Sequence, residues 1–340
     1  MATIKDVAAL AGISYTTVSH VLNKTRPVSE PVRLKVEAAI AQLDYVPSAV
    51  ARSLKAKSTA TIGLLVPNST NPYFAELARG IEDHCERNGY CVILCNSDDD
   101  PGKQRSYLRV LLEKRVDGLI VASVGADGDL LSSLAAVRTP MVVVDRALEG
   151  VDTDLVCIDH ELGGYLATLH LLELGHRDIA CISGPLATSV AQMRLAGYRR
   201  ALAEFDLKVV PERVIESDFT GQGGYEAAGQ LLDDHPPTAI FAANDMIGLG
   251  VLRAAAERNV PVPAALSVIG FDDIQMCRYV YPGLTTVGQS IREVGELAAE
   301  RLLTRVAGKG QGQAMKQVVP PLIILRESTA PRTDLFNEYR

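Results

Sequence analysis

Apolar positions repeat at helical spacing through the first forty-five residues and then give way to short β-branched runs. Ile4, Val7, Ala8 and Ala11 share one stripe over 4–11. Thr3 and Asp6 are spaced as a capping box, and Gly12 marks the stop, because glycine enters the left-handed region without steric cost. Ser14 is placed to cap a second helix over 15–23, whose apolar side is Val18, Val21 and Leu22. A third helix follows from Ser29 as cap, with Pro31 in its first turn and Val32, Val36, Ile40 and Leu43 along one face. Two short helices joined by a glycine turn have helix-turn-helix spacing. The second exposes Tyr15, Thr16, Thr17, Ser19, His20 and Asn23, whose hydroxyl, imidazole and amide groups suit base edges and phosphates.

Beyond residue 60 the period changes. TIGLLVP (61–67), YCVILC (90–95), GLIVA (118–122), MVVVD (141–145), IACIS (179–183), AIFAA (239–243), SVIGF (267–271) and LIIL (322–325) form near-continuous apolar runs with helical stretches between them. That pattern predicts buried strands of parallel, doubly wound α/β sheets. The segment is too long for one such sheet, so two lobes are expected.

Charge separates the same two regions. The chain has 340 residues and net charge −7, yet residues 1–60 hold eight basic and four acidic side chains, while the remainder is strongly acidic. A small basic head on an acidic body is the asymmetry of a tethered DNA-binding module. No apolar stretch is long enough to span a bilayer, the first residues lack a signal-peptide core, and six cysteines make no disulfide framework, so a cytoplasmic protein is expected.

In open α/β sheets, ligands bind beyond the carboxyl ends of strands. The residues there are Asn71, Tyr73, Phe74, Asp145, Arg146, Arg194, Phe219, Asn244, Asp272 and Gln289, with Asp245 read as structural. Carboxylate, amide and guanidinium forks pair with sugar hydroxyls, and rings cover C–H faces, so the set suits a monosaccharide. Enzyme chemistry finds no support. GQGGYEAAG (221–229) lacks the third glycine of a dinucleotide loop, SDDDPGK (97–103) fails as a calcium loop, and no nucleophile elbow occurs. His84, Cys85, Cys91 and Cys95 are not a metal set, since 91 and 95 lie too far apart along one strand, and buried apolar cysteines are expected instead. No cofactor is implied.

ATIKDVAALAGIS and TTVSHVLN, followed by Y-x-P-S-A-x-A-R-S-L-K, resemble the lactose/galactose-repressor (LacI-type) family over essentially the whole chain. The resemblance implies a helix-turn-helix head over 1–46 and a hinge helix within 47–60 that forms on operator DNA. Leu54 would wedge the minor groove there, beside Arg52 and Lys55. It also implies an effector domain similar to periplasmic sugar-binding proteins, with chain crossings near 160, 289 and 320. The first lobe would then be 61–160 with 290–320, the second 161–289 with 321–330, and 331–340 a short tail. NPYF, VDR, SVAQMRLAGY, SDF, AANDM, GFDD and TTVGQ are similar to the matching segments of ribose-binding proteins, which implies D-ribose as effector and ribose-type members as the nearest likeness. Purine-responsive members resemble the chain in Tyr73-Phe74, Phe219 and the tail FNEYR. However, the arginine and threonine that they place after GPL are Thr188 and Val190 here. A sugar phosphate is a further alternative. The tail is too short for a tetramerising coiled coil, so a homodimer on a pseudo-palindromic operator is expected, with 112–118 and the 75–87 helix at the dimer contact.

Overall fold

A computed structural model describes residues 2–23, 25–46, 58–122, 128–148, 150–233, 235–309 and 312–332. The chain divides into two units, 1–59 and 60–340. Arg52, Leu54 and Lys55 of the expected hinge, and the tail from 333, lie outside the described residues.

The first unit holds α1 (Ile4–Ala11), α2 (Tyr15–Asn23) and α3 (Glu30–Gln42). Thr3 and Asp6 form the reciprocal capping box, and Gly12 ends α1 with φ +67°. Ser14 caps α2 by accepting the Thr17 N–H at 3.1 Å. Ser29 departs from expectation: its side chain makes no capping bond, and only its carbonyl takes up the N–H groups of Val32 and Arg33. Val7, Ala8, Val18, Val36 and Ala39 form the small core, with Ile4, Val21, Leu22 and Ile40 packed around it.

The second unit contains two six-stranded sheets. Its elements run β1 (Thr61–Val66), α4 (Pro72–Arg87), β2 (Cys91–Asn96), α5 (Pro101–Glu113), β3 (Gly118–Ala122), α6 (Gly128–Ala135), β4 (Met141–Val144) and β5 (Asp154–Ile158). They continue with α7 (His160–Glu173), β6 (Ile179–Ser183), α8 (Ser189–Glu204), β7 (Val214–Glu216), α9 (Gly221–Asp233), β8 (Ala239–Ala242), α10 (Asp245–Glu257) and β9 (Ser267–Asp272). The last are β10 (Thr285–Gly288), α11 (Ile291–Val306), β11 (Lys316–Val319) and β12 (Leu322–Ile324). The first sheet is ordered β11-β5-β4-β3-β1-β2 and the second β12-β10-β9-β8-β6-β7. The chain therefore passes between the sheets after β5, after β10 and after β11. Every pairing is parallel except β10 with β12.

Several sequence expectations change. β5, β7 and β11 were not in the apolar-run pattern, because Asp154, Glu216 and Lys316 interrupt short runs. β2 and β12 are edge strands, not buried ones: Cys91 is exposed, as are Leu94, Leu322 and Leu325. Residues 112–118 are not a helix face, since α5 ends at Glu113, Val116 is buried and β3 begins at Gly118. The inner face of α4 (Leu77, Ala78, Ile81, Cys85) is buried within the lobe, which leaves its outer face with Arg79, Glu82 and Glu86 exposed.

Close helix crossings fix the lobes. A Cβ at Gly164 of α7 would lie 2.1 Å from the Arg194 carbonyl, and one at Gly197 of α8 2.1 Å from that of Glu161. Only glycine permits this approach, and it sets the height of α8 over the sheet. Two histidines, buried His176 and half-buried His170, tie down the segment after β12: His176 bonds Thr238, Ser267 and the Ala330 carbonyl, and His170 bonds Thr329. Burial lowers the affinity of both rings for a proton, and at His176 it outweighs the Ala330 hydrogen bond. A histidine whose folded value lies below the unfolded value of about 6.5 stabilises fully above that pH and loses the contribution as pH falls through the lowered value. Urea midpoints should therefore drop between pH 7.5 and 5.5, and His176→Gln should flatten part of that slope.

Candidate functional site

In the head, the residues expected to face DNA all lie on α2. Tyr15 is 54% exposed, and Thr16 and Asn23 are also exposed. Thr17 is held by Ser14 (2.8 Å), His20 Nδ1 pairs with the Thr25 hydroxyl (2.7 Å), and Asn23 donates to the Ser19 carbonyl (2.9 Å). Val18 on the opposite side is fully buried, so the polar face is fixed outward.

In the second unit, the strand-end groups converge from both lobes. Arg194, from the first turns of α8, is 4% exposed. It donates through Nη1 to the Ala243 carbonyl at 2.5 Å, reaches Asp272 at 3.6 Å, and lies 3.7 Å above the Phe271 ring. Gln289, just past β10, donates to the other strand end at Asp272. Asp272 and Gln289 are both almost fully buried. Burial raises the Asp272 pKa well above the usual carboxylate range, against the pull of Arg194. Asp145, past β4, accepts from His160 Nε2 at 3.1 Å. Tyr73, at the start of α4, meets Phe74 edge to face at 4.9 Å, and burial together with the Asp145 and Asp272 charges pushes its hydroxyl pKa well up. Phe219 lies 6.0 Å from the Arg194 guanidinium and rests on Gly184, where a Cβ would fall 2.0 Å from its ring. Asp145 (φ +80°), Phe219 (φ +64°) and Asp272 (φ +127°) all hold their backbone in the left-handed region.

Three expected residues are bound up in local work. The Asn71 side chain caps α4 through the Tyr73 N–H (3.0 Å). Asn244 caps α10 through the Ile247 N–H (2.8 Å) and donates to the Phe219 carbonyl (3.1 Å), so it shapes the Phe219 turn. Arg146 is half-buried, and its charge acts on Asp99. Asp245 is fully buried and accepts from Ile274 N–H and the Thr286 hydroxyl, which fixes β9 against β10. Two further residues were not expected. His160 joins Asp145 to Arg194. Glu76 on α4 accepts the Gln275 N–H at 3.0 Å, a bond from the first lobe to the second. A cavity of about 300 Å³, lined in part by Glu76, Asp272, Asp273 and Arg278, lies beside it. Removing one exposed charge-assisted bond shifts an equilibrium by about 1 kcal/mol. Glu76→Ala should therefore weaken ligand binding by up to about fivefold, because it removes a bond that holds the lobes together. Calorimetric titration of the variant beside the wild type checks it.

The described residues contain no cluster of His, Cys, Asp or Glu able to hold a metal, and no helix long and apolar enough to cross a membrane. Cys85 and Cys95 are buried as expected, whereas Cys91 is not.

Residues 3–48 match the family profile of bacterial regulatory proteins, lacI family, and residues 168–329 match a periplasmic binding protein-like domain. The chain is 46% identical over 326 residues to the HTH-type transcriptional repressor PurR of Photobacterium profundum, covering 95% of this chain and 98% of that protein. A lac repressor dimer bound to operator superposes with TM-score 0.86 at 31% identity, over 97% and 99% of the two chains. A LacI family regulator from Enterococcus faecium with bound ribose gives TM-score 0.73 at 36% identity, over 80% and 100%. Whole-chain likeness thus favours purine-repressor relatives over the ribose-type members that the strand-end residues implied. The chain belongs to the lacI family of bacterial regulatory proteins and is a DNA-binding transcriptional repressor.

Proposed function

We propose that the protein is a cytoplasmic homodimeric repressor whose hold on a pseudo-palindromic operator is set by a small molecule between its lobes, and that this effector is a pentose, D-ribose. The observation that carries the choice is the buried fork cluster of Asp145, Arg194, Asp272 and Gln289 beside Phe271. Pentose hydroxyls both donate and accept, so they match paired carboxylates and a guanidinium, and the sugar's C–H face suits Phe74 or Phe219. At the two positions where purine-type members place arginine and threonine, Thr188 spends its hydroxyl on the Pro185 carbonyl (2.8 Å) and on the cap of α8, and Val190 is buried and aliphatic.

A second reading is a purine effector. The name carried by the 46% identical relative favours it. The two readings imply opposite signs by analogy within the family, release by a sugar and recruitment by a purine. Calorimetric titration with D-ribose, ribose 5-phosphate and hypoxanthine, with Asp272→Ala as control, separates them. Ribose heat that disappears in the variant, and weaker operator binding in an electrophoretic assay with ribose, are expected. Heat with hypoxanthine alone, or tighter operator binding with ribose, overturns the pentose reading. Association with a second copy has a candidate surface in the exposed Tyr279, Tyr281, Leu322 and Leu325 of the second lobe.

A further inference from the structure

His160 is the first residue of α7, immediately after the chain leaves β5 for the second lobe. Its ring is 1% exposed and bonded on both nitrogens. Nε2 is 3.1 Å from Asp145 Oδ1 and 3.3 Å from the Asp145 carbonyl. Nδ1 is 3.4 Å from both Nε and Nη2 of Arg194. A guanidinium only donates, so Nδ1 carries the lone pair and Nε2 carries the hydrogen that the carboxylate accepts. Each ring nitrogen therefore has one partner type, and exchanging the two roles would aim donor at donor.

The ring is also held in place. Asp159 caps α7 through the Leu162 N–H at 2.9 Å, which fixes the first turn. The imidazole stacks over Phe271 at 6.2 Å, with 28° between planes. A Cβ at Gly163 would fall 2.6 Å from the Phe271 ring, so α7 approaches that ring as closely as the chain allows. The Arg194 guanidinium lies over the same Phe271 ring. One aromatic thus supports both the imidazole and the guanidinium.

Asp145 belongs to the first lobe and Arg194 to the second. We infer that His160 is a positioning residue that locks Asp145 and Arg194 into a single donor–acceptor unit spanning the lobes, so that effector affinity depends on a side chain placed behind the recognising groups. This rests on the cleft reading above, though not on which ligand fills it. A recognition pair held by a shared ring loses no freedom when the lobes close, and preorganisation of this kind raises affinity by lowering the ordering cost of binding.

The test uses His160→Leu, His160→Gln and His160→Ala in the full chain, titrated with whichever of D-ribose, ribose 5-phosphate and hypoxanthine the wild type binds. Leucine fills the volume without hydrogen bonds. Glutamine carries a donor and an acceptor at a spacing close to that of the imidazole nitrogens. Leucine and alanine are expected to weaken binding about 20-fold or more and glutamine to stay within about threefold of wild type, the range for loss of a buried polar link. The unliganded thermal midpoint of the glutamine variant should stay near wild type, whereas that of the leucine variant should fall, because buried Asp145 and Arg194 lose the imidazole as partner. Binding by His160→Leu equal to wild type overturns the proposal, and so does His160→Gln as weak as His160→Leu, which would mark a packing role. Should the alanine variant fail to fold, the leucine–glutamine pair still decides. A wild type silent with D-ribose, ribose 5-phosphate and hypoxanthine overturns the cleft reading itself, and this proposal falls with it. That outcome is told apart from failure of the His160 role because it appears before any variant is made.

Discussion

Replacing Arg194 with alanine is expected to abolish the effector response, with binding weakened by about 30-fold to several thousand-fold. Truncating one partner of a buried, hydrogen-bonded charge pair costs about 2–5 kcal/mol in binding. Arg194 merits the full range, because it touches the Ala243 carbonyl, His160, Asp272 and the Phe271 face at once. The loss should fall mainly on recognition. Burial already drives the Asp272 carboxyl toward its protonated form, with Arg194 as the largest opposing influence. Without the guanidinium, Asp272 takes up a proton instead of remaining a buried charge, which limits the damage to folding. Arg194→Lys restores the charge but not the fork, and should recover little. Calorimetry of both variants, with urea unfolding alongside, checks the claim. An Arg194→Ala protein that binds effector within threefold of wild type removes Arg194 from the site.

The largest expected effect on stability lies far from the cleft. Asp154 opens β5, is 1% exposed, and accepts from Arg301 (2.7 Å), Arg305 (2.8 Å) and the Met315 N–H (2.8 Å). It joins β5, α11 and the approach to β11 through one carboxylate. Burial alone would raise its pKa, but the two guanidiniums and the backbone N–H prevail and hold it far below the usual range. Breaking a buried ion pair from one side costs about 3–5 kcal/mol. The arginines here are 17% and 19% exposed and regain some water, so about 3 kcal/mol is expected for Asp154→Ala. A carboxylate with a depressed folded pKa stabilises above its unfolded value near 3.9 and loses that contribution as pH falls further. The wild-type advantage over Asp154→Ala should therefore be flat from pH 8 to 5 and shrink below about 4. Urea midpoints measured across that range check it, and equal midpoints at pH 7 would contradict it.

Much of the cleft was legible because one rule, inspection of the residues just past each strand, carries a physical reason. It led to Asp145, Arg194, Asp272 and Gln289, which the fold brings together. The same rule missed His160 because β5 was not recognised as a strand. Its opening charge, Asp154, breaks the apolar run, and only the fold reveals that Arg301 and Arg305 neutralise it. Asn71 and Asn244 show a different limit. An amide at a strand end serves equally as ligand donor or helix cap, and residue type alone does not separate these uses. The composition of β2 and β12 matches that of central strands, whereas edge position depends on pairing far along the chain. The effector is divided in the same way between local residues that suit a pentose and a whole-chain likeness to purine repressors.

The left-handed backbone at Asp145, Phe219 and Asp272 has a consequence for how such a protein changes over generations. Non-glycine residues in sparsely populated backbone regions cost of order 1–3 kcal/mol each, and they persist where the surrounding structure over-determines them. Glycine at any of the three would relax the chain while deleting a side chain that the proposed function assigns to the effector. Screens that reward thermal tolerance alone should therefore collect substitutions at these positions and return sturdy proteins deaf to their signal. Lineages that still respond are those in which regulation, and not durability, has been under selection.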